Sequence, residues 1–285
     1  MVMGEIEQDV SRLLAGLESS NVVERKRSLE KISMLLNKIS EEQRNEEEER
    51  EANPFMNLWD EKISRFIYSC LDDPGERCRE IASEIVLTVI NHSKVLNNTH
   101  LSHVFPVLRH RLANCSGERS LESSEEVRLC FLKIMIAILN KDLATNADAE
   151  ANTNTDAKDH SKLLFPYMDD VISVLKTTLT DSYAEIKTLS CDGVQIASKV
   201  FKKDFHMMGN TLINPIFQCL SYQQKKVRVR AIQAIGVVML FSTSDDFKPV
   251  AHHLAQRLFD HIPQVRLQVS LTTGKLLLEW RYSAT

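Results

Sequence analysis

Six basic residues recur at equivalent places along the chain, and their spacing suggests ion-pair chemistry. In the four clearest copies, an apolar anchor is followed seven positions later by a second apolar residue and then at once by the base. Three acids stand two residues past the anchors of their copies. Cationic and carboxylate side chains at such offsets can form charge-assisted hydrogen bonds. The bases are Arg25, Arg79, Arg128, Lys187, Arg228 and Arg266, and the acids are Asp73, Asp181 and Asp260.

Two interpretations of this pattern are open. The bases and acids of neighbouring copies can bond to each other in a structural ladder, or the bases can contact a partner protein directly. We favour the ladder because the acids share one turn position in their copies. We expect its pairs to be largely exposed, and an exposed ion pair contributes only about 0–1 kcal/mol. The ladder would therefore set the register of the copies more than their stability.

The densest basic cluster consists of Lys225, Lys226, Arg228 and Arg230. Apolar residues alternate with bases between 227 and 231, so part of the cluster must point to solvent. A solvated face is the favoured interpretation, and a patch for nucleic-acid phosphates is the alternative. The formal net charge of -4 argues against nucleic acid as a partner, because phosphate-binding proteins normally carry a basic face.

Two groups of histidines raise the question of a metal site: His100, His103 and His110, and His252, His253 and His261. Zinc needs three or four converging ligands, and neither group has the companion Cys or His residues. We therefore expect surface or turn histidines and no metal or cofactor. Phosphate loops, nucleophile elbows, metalloprotease helices and Cys-x-x-Cys pairs are also missing from the sequence. We predict that the protein is not an enzyme and has no small-molecule substrate.

The elements that must position these residues are helices. Hydrophobic residues make up 43% of the chain, whereas only 8 Gly and 7 Pro are available for turns. Apolar residues recur at helical spacing in six segments, at about 5–40, 54–95, 99–141, 162–200, 207–241 and 247–281. The intervals from Lys187 to Arg228 and from Arg228 to Arg266 are 41 and 38 residues, which is the length of HEAT and armadillo units. We predict one all-α domain over residues 1–285, an α-solenoid of about six HEAT-type helical hairpins that form a superhelical stack.

Three polar insertions interrupt the repeats. We predict that the charged segment 41–53 is a solvated helix extension or loop, with an acidic docking segment as the alternative. Segment 114–124 is a polar insertion, and segment 145–160 is predicted to be disordered because it has little to bury. We find no apolar run long enough to cross a membrane, and the acidic start lacks the apolar stretch of a signal peptide. The sequence therefore predicts a cytoplasmic protein.

Several blocks are more specific than the repeat itself. They read DFHMMGNTLINPI at 204–216, KVRVRAIQAIG at 226–236 and AQRLFDHIPQVR at 255–266, with RYS at 281–283. Two earlier blocks are SRLLAGLE at 11–18 and CLDDPGERCR at 70–79. Together they resemble the HEAT-repeat class of dynein axonemal assembly factors, the HEAT repeat-containing protein 2 family. The resemblance extends over most of the chain and is weakest in the insertions.

The resemblance implies a non-enzymatic, cytoplasmic scaffold that pre-assembles axonemal dynein arms for motile cilia. It implies axonemal dynein chains, chaperones and other dynein assembly factors as partners. Because family members are longer, it also implies an N-terminal portion or a short form. The alternative functions are a generic HEAT-repeat adaptor in transport or phosphatase regulation and, less favoured, a nucleic-acid-binding solenoid.

Overall fold

A computed structural model describes residues 3–44, 59–93, 96, 98–113, 120–151, 163–242 and 244–283. Every regular element within these residues is helical, which confirms the all-α prediction. The chain divides into two compact units, Met1–Val107 and Leu108–Thr285. The single stack predicted for residues 1–285 stays a prediction, since the packing below holds within each unit.

The first unit is built from antiparallel helix pairs. Helix α1 packs on α2, α3 packs on α4, and α2 also packs on α4. Leu29 and Ile32 of α2 and Val86 of α4 are fully buried. The helices are α1 (Met3–Leu17), α2 (Val22–Arg44), α3 (Ser64–Cys70, after a π-helical turn at Trp59–Ile63), α4 (Glu76–His92) and α5 (Asn98–Leu112), within which the unit ends.

The second unit repeats the arrangement more regularly. Its helices are α6 (Glu125–Ala151), α7 (Met168–Thr178), α8 (Ala184–Phe201), α9 (Ile213–Leu220), α10 (Lys225–Met239), α11 (Ser244–Arg257) and α12 (Pro263–Ser283). Short 3₁₀ turns at Phe165–Tyr167, Lys202–Met207 and Gly209–Leu212 precede α7 and α9. The even-numbered helices, called second helices below, pack side by side in the order α6, α8, α10 and α12.

This side-by-side packing explains the composition of the second helices. A helix with neighbours on several sides must be apolar over most of its surface. Phe131, Ile134, Met135 and Ile138 of α6 are accordingly all fully buried. Where the helices approach most closely, glycine removes the obstructing side chain. A Cβ atom added to Gly193 of α8 would lie within 2.7 Å of Leu175 and 2.8 Å of Ile136.

The predicted insertions fall partly outside the described residues. Helix α2 continues to Arg44, so the first residues of segment 41–53 extend a helix, and 45–53 lie outside. Residues 114–119 also lie outside, whereas 120–124 are described. Helix α6 continues to Ala151, so 145–151 are helical rather than disordered, because each added helical residue forms one more hydrogen bond on an existing helix. Residues 152–160 lie outside the described residues.

No helix among the described residues combines the length and the apolar character that crossing a membrane would require.

Candidate functional site: the hairpin turns and the second-helix surface

The predicted acids organise the turns that lead into the second helices. In each turn, a carboxylate oxygen accepts a hydrogen bond from the backbone N–H two residues further on. Such side-chain turns close the chain on itself and present the next residues for helix formation. The N–H groups of Gly75, Tyr183 and Ile262 donate to Oδ1 of Asp73, Asp181 and Asp260 over 2.7, 2.8 and 2.9 Å.

The structure adds two turn residues that the sequence analysis missed. Glu122 is only 1% exposed, and its Oε1 accepts a hydrogen bond from the N–H of Ser124 at 3.2 Å. Ser19 Oγ accepts one from the N–H two residues on, at 3.1 Å. Both residues stand six positions before a base, as Asp73 does before Arg79. The distance from an apolar anchor does not reveal Glu122, because the insertion at 114–124 changes that distance, and Ser19 was missed because it is not an acid. The offset of six residues to the base is the signal that finds both.

Each predicted base also bonds to its own turn. Lys187 donates from Nζ to the carbonyl of Leu179 at 2.8 Å. The five arginines donate from Nη1 to the carbonyl six residues earlier, which joins the turn to the first turn of the second helix. For Arg25, Arg79, Arg128, Arg228 and Arg266 these distances are 2.9, 2.8, 3.1, 2.8 and 2.7 Å.

Three of the arginines also pair with the acid of the next turn. The planar guanidinium groups of Arg25 and Arg128 donate hydrogen bonds to both carboxylate oxygens, a geometry that lysine cannot reproduce. The guanidinium of Arg228 donates one hydrogen bond to Asp260 and contacts the second oxygen as an ion pair. The Nε–Oδ2 distances are 2.6, 2.8 and 2.8 Å for the pairs Arg25–Asp73, Arg128–Asp181 and Arg228–Asp260. The corresponding Nη2–Oδ1 distances are 3.0, 3.2 and 3.0 Å. The structure therefore brings each of the three predicted acids onto a predicted base.

The expectation that these pairs are largely exposed is wrong. No side chain in the three pairs is more than 11% exposed, because the turns of neighbouring hairpins stack closely. A buried pair behaves differently from an exposed one, because losing one partner leaves an uncompensated charge away from water.

Lys187 departs from the arginine pattern together with its partner. The turn position that it faces holds Tyr222 instead of an acid, and the ammonium lies 5.4 Å from the centre of the tyrosine ring. This is a cation–π contact. The hydroxyl of Tyr222 donates to the carbonyl of Ser182 at 2.9 Å, so the ring is held in place. An aromatic contact thus stands where the other turns have a carboxylate.

The ladder stabilises two of its carboxylates, those of Asp73 and Asp260, in the ionised form. Burial alone would raise the pKa of Asp260, but the N–H of Ile262 and the Arg228 guanidinium outweigh burial, and the net pKa is lowered. Burial likewise opposes ionisation of Asp73, and the hydrogen bonds from Arg25 and Gly75 lower its pKa. A carboxylate whose pKa is lower in the folded state stabilises the fold above its unfolded pKa of about 4. That contribution is lost as the pH falls through the folded pKa.

We expect the stabilising effect of Asp260 to decrease in acid. The difference in the free energy of unfolding between the wild type and Asp260→Asn should be largest near neutral pH. It should shrink as the pH falls below about 4, because the wild-type carboxyl becomes protonated there. Urea unfolding of both proteins at a series of pH values measures this difference. A difference that stays constant down to the acid limit of folding would contradict the assignment.

Of the histidines in the two groups, His100, His103 and His253 pack against aromatic or polar neighbours. His100 lies with Nδ1 2.8 Å from the hydroxyl of Tyr68 and Nε2 2.9 Å from Oδ1 of Asp60. His103 stacks on the ring of Tyr68, and His253 stacks on Phe217 at a centroid distance of 4.0 Å. In the part of the chain that the structure describes, no three His, Cys, Asp or Glu side chains are placed to hold a metal ion.

The structure divides the basic cluster at 225–230 into two parts. Arg228 is buried in the turn ladder, whereas Lys225 and Lys226 are exposed. Arg230 is half-buried, and its Nε lies 3.3 Å from Oδ1 of Asp192 on α8. Only the outward part of the cluster can therefore contact a partner.

The last hairpin carries an unusually apolar exposed surface. Leu267, Leu271 and Leu278 of α12 are 59–60% exposed, and Phe259 in the turn before it is 89% exposed. Grouped exposed apolar side chains are typical of surfaces that contact other proteins. This part of the described surface is thus suited to contact with another protein.

Known proteins resemble the chain over nearly its whole length. The family model described as "Dynein axonemal assembly factor 5-like, TPR repeats" matches residues 16–284. Dynein axonemal assembly factor 5 of Homo sapiens is 31% identical over 277 residues, which is 96% of this chain and 29% of the relative. The Mus musculus protein of the same name is 30% identical over 97% of this chain and 30% of its own length. The chain thus spans less than a third of these curated relatives.

Solved structures share the fold at low sequence identity. A computationally designed armadillo repeat protein for modular peptide recognition aligns with a TM-score of 0.58 and 13% identity, over 92% of this chain and 98% of the other. Cex1p aligns with a TM-score of 0.59 and 17% identity, over 96% of this chain and 43% of Cex1p. A designed armadillo repeat protein in complex with the peptide (KR)4 aligns at 0.54 and 13%, over 93% and 98%. These matches support an α-solenoid of helical repeats.

Proposed function

This chain belongs to the dynein axonemal assembly factor 5 family, and from that premise we propose that it is a non-enzymatic scaffold for the pre-assembly of axonemal dynein arms. It would act in the cytoplasm on axonemal dynein chains, together with chaperones and other assembly factors. The observation that carries this proposal is the match to the family over residues 16–284, which spans all the helical hairpins of the second unit.

The geometry supports a scaffold in a second way. Hairpins that stack through their second helices present a continuous surface, and each added hairpin lengthens it. Such a surface can hold a large client through many weak contacts. One solved neighbour with this fold is described in complex with a peptide, which agrees with a binding role for surfaces of this kind.

The proposal is tested by affinity purification from the cytosol of cells that are building motile cilia. The tagged chain should enrich dynein heavy or intermediate chains and chaperones, identified by mass spectrometry. A designed armadillo repeat protein of similar size with the same tag is the matched control for non-specific adhesion to a solenoid. Enrichment of transport factors or phosphatase subunits without dynein chains would favour the generic adaptor instead.

Nucleic-acid binding is tested separately by titration with duplex DNA at two ionic strengths. The net charge of -4 leads us to expect no binding at physiological salt. Tight binding that weakens steeply with salt would support a nucleic-acid-binding solenoid, because phosphate contacts release counterions.

A further inference from the structure

A groove runs across the second helices of the second unit. It has a volume of about 230 Å³ and is lined by residues of α8, α10 and α12. Its floor is low because Gly236 of α10 lies directly against the side chain of Thr272 of α12. Val237, Leu240 and Leu271 form its apolar part. The groove can therefore accept a ligand that lies across several helices.

Glutamine side chains from all three helices form a row in this groove: Gln195, Gln233 and Gln268. Gln233 donates from Nε2 to Oε1 of Gln268 at 3.0 Å, and Gln268 donates from Nε2 to Oγ1 of Thr272 at 3.1 Å. Arg230 donates to Oε1 of Gln233 at 3.1 Å. These bonds fix the amides of Gln233 and Gln268 before any ligand arrives, and Gln195 donates from Nε2 to the carbonyl of Cys191 on its own helix at 3.3 Å.

The row keeps hydrogen-bonding capacity for a ligand. A carboxamide can donate two hydrogen bonds and accept two, and the bonds above use only part of that capacity. Each of the three glutamines is half-buried and lines the groove, so its unused donor and acceptor groups remain accessible to a ligand. An extended polypeptide backbone offers alternating N–H and C=O groups that match such a row.

The charges around the groove favour a negatively charged ligand. Lys275 lines the groove and is exposed. Lys226 is not a lining residue; it is exposed on the same helix as Gln233, seven residues or about two turns before it. Within the described residues neither ammonium forms an ion pair. The nearby acids are Asp192, which is paired with Arg230, and Glu279 on the last turns of α12. Burial raises the pKa of Asp192, although the charges of Arg230 and Lys226 oppose this.

Helix spacing sets the length of ligand that the row can hold. Packed helices lie about 8–10 Å apart, and an extended chain advances about 3.3 Å per residue. Three residues of ligand thus correspond to one step between helices, so the row from α8 to α12 spans about six residues.

We propose that the groove over α8, α10 and α12 binds an extended acidic segment of a partner protein. The glutamine row holds the main chain of the segment, Lys226 and Lys275 hold its Asp or Glu side chains, and the apolar floor accepts the intervening side chains. This inference rests on the proposed scaffold function, because it names the kind of contact that the scaffold makes with a client.

The test is fluorescence anisotropy with the full chain and labelled peptides of about eight residues. The acidic probe alternates Glu with Val, and the control probe alternates Lys with Val. We expect the acidic peptide to bind. The basic peptide should bind at least about tenfold more weakly, since Lys226 and Lys275 repel it.

Variants locate the binding site. Gln233→Ala combined with Gln268→Ala, and separately Lys275→Glu, should each weaken binding of the acidic peptide by about tenfold or more. Lys133→Glu makes the same charge change at an exposed position of α6 that does not line the groove, and should leave binding unchanged. Circular dichroism and thermal melts confirm that each variant remains folded.

Three outcomes would overturn the inference. They are equal binding of the two peptides, binding that the groove variants do not change, and stronger binding of duplex DNA than of the acidic peptide. If the acidic peptide fails to bind while dynein chains still co-purify with the chain, the groove assignment is wrong and the scaffold proposal stands. If the acidic peptide binds and no dynein chain co-purifies, the groove assignment stands and the scaffold proposal is wrong.

Discussion

Replacing Asp260 with alanine is expected to lower the free energy of unfolding by about 3–5 kcal/mol, which is the usual cost of removing one member of a buried ion pair. The side chains of Arg228 and Asp260 are only 5% and 3% exposed. Without Asp260, the guanidinium of Arg228 would lose both carboxylate contacts in a place that water hardly reaches. The N–H of Ile262 would also lose its acceptor. Urea unfolding followed by circular dichroism measures the loss.

Asp169→Ala is the matched control for this change. Arg109 pairs with Asp169 at 2.8 Å, but these side chains are 40% and 51% exposed, so the expected loss is below about 1 kcal/mol. The double variant Arg228→Met with Asp260→Ala should be more stable than Asp260→Ala alone, because it no longer contains the unpaired charge. Equal losses for Asp260→Ala and Asp169→Ala would show that the ladder contributes no more than an ordinary surface pair.

Replacing Gly236 with alanine is expected to destabilise the protein by about 1–3 kcal/mol, although alanine is the better helix former. The added methyl group would overlap with Cγ2 of Thr272 on the neighbouring helix. Thr272 is buried and β-branched, so it has few alternative rotamers and α10 would have to move away from α12. Thermal and urea unfolding measure the effect, and adding Thr272→Ala should recover part of the loss.

Gly274 occupies the position of the next repeat that corresponds to Gly236, and alanine is expected to have the opposite effect there. It stands eight residues after Arg266, as Gly236 stands eight residues after Arg228. A Cβ added there meets no atom within 4 Å. Gly274→Ala should therefore stabilise the protein by about 0.5–1 kcal/mol through helix propensity alone. Destabilisation by both substitutions would show that the α10–α12 contact is not what decides the outcome.

Much of the fold could be predicted from local patterns in the sequence. Apolar residues at helical spacing predicted the helices, and the recurring Val227-Arg228 and Val265-Arg266 pairs predicted the repeat. These features depend on neighbours within one or two turns of helix, so a linear pattern contains them. The three acids were predicted for the same reason, since each stands at a fixed distance from its anchor.

The groove over α8, α10 and α12 could not be predicted in this way. Gln195, Gln233 and Gln268 stand eight, five and two residues after the bases of their helices, so they do not share one position of the repeat. They form one row only because neighbouring second helices are shifted along one another. They are therefore not singled out in the sequence analysis.

The turn bases show which properties follow from the sequence and which depend on the tertiary structure. By itself the sequence determined the six bases, three of the turn acids and the order in which they recur, because these properties are local. Only the tertiary structure decided that Arg228 and Asp260 are buried. It also decided that Glu122 occupies the turn position that an aspartate holds in other hairpins, and that Lys187 faces the ring of Tyr222 instead of a carboxylate. The physical reason is that burial and pairing depend on how closely successive hairpins stack, and that distance is set by side chains far apart in the sequence.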